Sequence, residues 1–129
     1  MASSEILKEI TKAKGAHAAW KLKLSAAIAV GKTDLDPKTV KCDNLCTFGE
    51  WLYGPSMTPE IKAGMPYKVI KRLHAEFHAC ASSVLDKVVA GDLDGAKRIF
   101  ETDYAQISDK LMTGMSKWSR ELSSELQQS

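Results

Sequence analysis

The histidines of this chain are few, and each falls on the apolar side of a stretch with helical periodicity. From Ser4 to Val30, Ile6, Ile10, Ala13, His17, Trp20, Leu24, Ala27 and Ile28 recur at spacings of three and four, one face of an α-helix. From Tyr67 to Ala90 the stripe is Ile70, Leu73, Phe77, Ala81, Val84, Leu85 and Val88. At 100° per residue, His74 lies about 40° from Ile70, and His78 about 40° from His74, so both point into that stripe. A buried imidazole needs a partner, because leaving one unsatisfied costs on the order of a few kcal/mol. Three such rings confine the fold to one that supplies those partners.

The rest of the chain also reads as helix. Gly31 ends the first stretch. Asp36-Pro37 marks a short helix, with Asp as cap and Pro in the first turn. A second short helix is predicted over Cys46 to Tyr53, capped by Asp43, Asn44 or Thr47, and Thr47-Phe48-Gly49-Glu50 fits a capping box. Gly54-Pro55 stops it. Thr58-Pro59-Glu60 opens a further turn, which Gly64-Met65-Pro66 interrupts. Gly91 is a stop, and Asp92 caps a last helix with Ala96, Phe100, Tyr104, Ile107, Leu111, Met115, Trp118 and Leu122 on one face. Gly114 weakens that helix slightly, and Glu125 to Ser129 is expected to fray.

No segment alternates with the period of a strand, and no repeat or long linker divides the chain. The expected fold class is all-α: an antiparallel four-helix bundle with additional short helices and a zinc-binding core, in one domain over residues 1–129. A length of 129 residues suits a single core.

The metal reading follows from the side chains. Residues four apart on a helix are neighbours, so His74 and His78 can chelate one ion. His17 comes from a facing helix, and Cys46 from the short segment that closes over the bundle. Three imidazoles and one thiolate fill a tetrahedral zinc shell and leave no position for water or substrate. Such a donor set suits Zn2+. Cys42, four residues before Cys46, is an alternative ligand or a resolving thiol, although the apolar sequence after Cys46 favours Cys46. Cys80 reads as core filler. Trp20, Phe48, Gly49 and Trp51 stand close in sequence to the candidate ligands and are expected to cover the metal.

Several classes are excluded or disfavoured. The zinc-protease helix requires Glu directly after the first His, but position 75 is Ala, and Glu76 is turned about 200° away. The reversed motif fails at Phe77, and a di-iron bundle fails because no Glu-x-x-His occurs. No Ser-His-Asp order or glycine-rich phosphate loop is present, so the chain is read as a non-enzyme. A net charge of +2, with lysines and carboxylates interspersed, gives no nucleic-acid footprint. Apolar runs fall short of the roughly 18 residues of a membrane span. Lys8, Lys12 and Lys14 interrupt any signal-peptide core. A cytoplasmic location is the resulting expectation, and there the three cysteines stay reduced.

The ordered set His17-x-x-Trp20, Cys46-x-Phe48-Gly49-x-Trp51 and His74-x-x-x-His78 resembles the signature of the chemoreceptor zinc-binding (CZB) domain family. The resemblance runs from about His17 to beyond His78. It implies a four-helix bundle with one zinc held by three His and one Cys, and a bacterial sensory role beside a chemoreceptor or a diguanylate cyclase. It also implies pairing as a homodimer, and a response to zinc or to oxidants such as hypochlorous acid through Cys46. No signalling coiled coil, cyclase domain or membrane helix accompanies the module, which is either a stand-alone member or a piece of a longer receptor. A zinc-stapled helical adaptor for protein partners is the alternative function.

Overall fold

The computed structural model describes residues 2–42, 46–55 and 57–128, with the side chains of residues 2–5, 47 and 124–128 left out of the description. Among the described residues every regular element is helical. In chain order these are α1 (Ala2–Val30), α2 (Pro37–Lys41), α3 (Thr47–Leu52), α4 (Pro59–Ala63), α5 (Met65–Val89), α6 (Leu93–Ile99), a π-helical turn (Phe100–Tyr104) and α7 (Ala105–Gln128).

The three long helices α1, α5 and α7 pack on one another. Their stripes meet in a core that includes Ile10, Leu24, Ile70, Phe77, Leu85, Leu111 and Met115, all essentially without solvent exposure. The described residues therefore hold three long rods, the last carrying a π-turn near its start, with short helices laid against them. Four equal rods are not seen among them. Gly114 has a packing role beyond its low helix propensity. A Cβ there would stand 3.0 Å from Ile70 Cδ1, so the missing side chain lets α7 approach α5 closely.

Helix ends follow local chemistry. Asp36 accepts from the Lys38 amide at the start of α2, and Thr58 accepts from the Ile61 amide at the start of α4. Met65 opens α5 with Pro66 in the first turn, two residues before the expected start. Gly91 (φ 81°) closes α5: its amide bonds to Val88 O, and the Asp92 amide reaches Lys87 O, the paired bonds of a Schellman motif. Asp92 then caps α6 through Gly95 N. Backbone helicity continues to Gln128, and Ser129 lies outside the described residues.

Two expectations are corrected. The last helix is not α-helical throughout. Ala96, Phe100 and Tyr104 lie four apart twice, a drift of about 80° in an ideal α-helix. The π-turn at Phe100–Tyr104 absorbs one extra residue and returns Tyr104 to the core beside Phe77 (ring centroids 5.3 Å). The cap of α3 is also different. Cys46 occupies the cap position, which puts Thr47 inside the helix and removes the expected capping box. Asp43 and Asn44, the other expected caps, lie outside the described residues.

Candidate metal centre

α1 and α5 supply the histidines because their apolar stripes include them. His17, His74 and His78 are 3%, 0% and 3% exposed. Cys46 arrives from the start of α3, which packs against α1. The donor atoms of His17, Cys46, His74 and His78 all lie within 4.8 Å of one another. Cys46 Sγ is 3.3 Å from His74 Nε2, and His78 Nε2 is 3.1 Å from His74 Nε2. With metal–nitrogen bonds near 2.0–2.1 Å and metal–sulfur bonds near 2.3 Å, tetrahedral zinc donors sit roughly 3–4 Å apart. These two separations match that spacing.

Ring orientation is fixed from outside the cluster. His17 Nδ1 donates to Ala13 O at 2.8 Å, and His78 Nδ1 donates to Val40 O at 2.9 Å. A carbonyl only accepts, so each Nδ1 holds the proton, and Nε2 of the neutral ring is left as a lone-pair donor. Carbonyl-anchored imidazoles of this kind are the usual support of metal-binding histidines. α2 is held in place to serve His78: Val40 is buried, and Ser82 Oγ on α5 donates to Pro37 O at 2.8 Å.

Burial sets the protonation. Desolvation, with the nearby imidazoles adding to it, lowers the His74 pKa to about 2. Desolvation also dominates at His17, which is lowered to about 4 even though its bond to Ala13 opposes the shift. Both rings are neutral near pH 7, the form that ligates metal. His74 Nδ1 is buried without a hydrogen-bond partner among the described residues. Lone pairs on His74 and His78 that face each other at 3.1 Å repel unless a proton or a cation lies between them. The donor set therefore fits a soft-to-borderline divalent cation such as zinc.

Cys46 has two attachments in the fold. Its sulfur faces His74, and it also accepts the Gly49 amide at 3.3 Å as the cap of α3. Sulfur stands here where a capping oxygen is usual. The other end of α3 is fixed by Tyr67, whose hydroxyl donates to Leu52 O at 2.7 Å.

The remaining residues singled out in the sequence are placed as follows. Phe48 turns its edge to His17 and His74 (centroids 5.9 and 5.2 Å). Trp51 stacks on Phe48 (5.6 Å) and reaches Trp118 of α7 (6.3 Å), one layer away from the donors. Gly49 contributes its amide. Trp20 is half-buried beside His17 in a surface groove. Cys42 is exposed, with its thiol directed to Lys38 O, and Cys80 is half-buried outside the cluster. Sequence reasoning missed Phe77, which packs its ring against His17 and His78 (5.0 and 5.8 Å), and the Ala13 and Val40 carbonyls. Ala13 was legible as the residue four before His17. Val40 carried no such signal.

No helix among the described residues is long and apolar enough to cross a membrane. No curated protein and no solved structure matches the chain. The sequence profile of the chemoreceptor zinc-binding domain matches residues 17–85, more than half of the 129 residues, and that span holds all four converging side chains. The cluster, its carbonyl-anchored imidazoles and this match lead to one assignment: the chain belongs to the chemoreceptor zinc-binding domain family.

Proposed function

We propose that this chain is a zinc-binding sensory domain of bacterial signalling, in which His17, Cys46, His74 and His78 hold one Zn2+ and Cys46 responds to oxidant. The observation that carries the reading is the convergence of four protein donors within 4.8 Å, with two imidazoles oriented from outside by carbonyls. Bound zinc keeps the cysteine in its thiolate form at neutral pH. A shell filled by four protein groups has no place for substrate, which favours sensing over catalysis.

The chain's own residues supply the rest. The histidines are fixed on α1 and α5, and the cysteine sits at the edge of a six-residue helix. In the oxidant response the Cys46 thiolate attacks the chlorine of hypochlorous acid. The S–Cl bond forms, the Cl–O bond breaks, and hydroxide leaves. Water then displaces chloride to give the sulfenic acid and a proton. The sulfur loses its thiolate charge, and with it both the metal bond and part of the cap on α3. The residues from Cys46 to Tyr53 then shift, and the Phe48–Trp51–Trp118 contacts carry the change to α7. In this reading residues 1–129 act as one cytoplasmic module of antiparallel helices. Two copies pair, and a chemoreceptor or cyclase receives the signal.

Metal analysis of the purified protein beside Cys46→Ala tests the zinc assignment, with one zinc per chain expected in the parent and weaker binding in the variant. Mass spectrometry after limiting oxidant should find Cys46 modified before Cys42 and Cys80. The reverse order would refute the sensing step. Chelator titration followed by circular dichroism separates a response to zinc level from a response to oxidant alone. A Cys46→Ser chain that only unfolds, with no change in oxidant response, would favour the zinc-stapled adaptor.

A further inference from the structure

A groove of about 540 Å3 runs along the surface between α1 and the start of α3, and of the four converging residues, His17 and Cys46 line it. Its α1 wall is built from small residues. Ala16 and Ala19 lie between Lys12 and Lys23 at spacings of four, three and four, so one helix face carries two alanines with a lysine at each end. Trp20 and Phe48 form the remaining apolar wall. Cys46 and His17 line the groove, whereas His74 and His78 do not and are buried.

The charges of the groove are unequal. Glu9 also lines it, but Lys12 Nζ stands 3.5 Å from Glu9 Oε1 and answers that carboxylate. Lys23 lies over the Trp20 ring, its Nζ 4.8 Å from the centroid, which fixes the second cation on the groove wall. Among the described lining residues the balance is one positive charge. A concave, low-dielectric wall concentrates such a field on an approaching ion.

Resting on the zinc-sensor reading above, we propose that this groove is the approach path to Cys46 Sγ and that Lys23, with Lys12, makes it select small anionic electrophiles over cationic ones. Neutral reagents of the same size enter without help or hindrance. The preference belongs to the groove and acts before the covalent step, whatever reagent attacks the sulfur.

A pair of thiosulfonates of equal reach and opposite charge tests this: sulfonatoethyl and trimethylammonioethyl methanethiosulfonate. With either reagent the Cys46 sulfur attacks the sulfenyl sulfur, an S–S bond forms, the S–SO2 bond breaks, and methanesulfinate leaves with the electron pair. Rates at Cys46 are read by peptide mass spectrometry on the folded, zinc-loaded protein and divided by those of the same chain unfolded in urea. The anion-to-cation ratio should rise on the order of 10-fold at low salt and shrink as salt is added. Lys12→Gln and Lys23→Gln should flatten it, and Lys23→Glu should reverse it. A ratio equal to that of the unfolded chain, or one unchanged in all three variants, overturns the inference. Zinc content measured alongside keeps the two claims apart. A charge preference without bound zinc supports the groove and counts against the sensor reading, whereas bound zinc without a preference overturns the groove alone.

Discussion

His74 and His78 present their Nε2 atoms to each other at 3.1 Å, one turn apart on α5. Both are buried, and a ring that lost its shared partner would keep the desolvation without the compensation. His74→Ala should therefore lower zinc affinity by more than the roughly 10–100-fold typical of losing a residue that only supports a ligand. It should also open a void beside Phe48 and His17. Isothermal titration with zinc reads the first effect and thermal unfolding the second. Parent-like zinc binding in this variant would remove His74 from the site.

Cys46 both faces His74 and caps α3, and two substitutions separate those roles. Serine keeps a capping atom and loses the thiolate, and alanine loses both. In metal-free protein, Cys46→Ala should be less stable than Cys46→Ser by about 1 kcal/mol. In zinc-loaded protein both should fall well below the parent. Urea denaturation with and without chelator measures each difference. Equal stability of the two variants without metal would show that the sulfur contributes nothing as a cap.

Acid should destabilise the metal-free protein. His17 and His74 titrate near 6.5 when unfolded but at about 4 and about 2 in the fold, so the unfolded chain binds protons first as pH falls. Their contribution is complete above about pH 6.5 and is lost as pH falls from there to about 4 for His17 and to about 2 for His74, by on the order of a few kcal/mol for each ring. Protons also compete with zinc for the same nitrogens, so the loaded protein should release metal over part of that range. Denaturation midpoints taken from pH 7 to pH 4 check the sign. A midpoint that rises on acidification would contradict the buried, neutral assignment.

Tyr67 ties the end of α3 to α5 through its hydroxyl bond to Leu52 O. Tyr67→Phe should cost about 1 kcal/mol, because the carbonyl loses a good donor. It should also loosen α3 enough to alter Trp51, whose ring lies against Phe48 and near Trp118. Tryptophan emission compared with the parent reads this directly. Unchanged emission and stability would mean that water replaces the phenol without loss.

The three histidines that converge were legible because two local patterns carry them. A histidine at a stripe position is committed to the interior, and an i, i+4 pair on that stripe commits both rings to one spot. The Asp36, Thr58 and Asp92 helix starts were legible for a similar reason, since each is decided within three residues. What was not legible depends on distance or on unusual chemistry. Nothing near Val40 announces that its carbonyl will meet His78, 38 residues away. A cysteine is not among the residues expected to cap a helix, so the start of α3 was assigned to its polar neighbours. The three long rods were legible from their stripes; a fourth long rod is not seen among the described residues, because α2, α3 and α4 share the turn chemistry of longer helices without their length.

The π-turn at Phe100–Tyr104 makes this the one place in the last helical rod where chain length is negotiable. Because it already stores a surplus residue, removing one there should restore ordinary α geometry while Ala96 on one side and Leu111 on the other keep their bearings. The same deletion a few residues later would swing Leu111, Met115 and Trp118 by about 100° away from the interior.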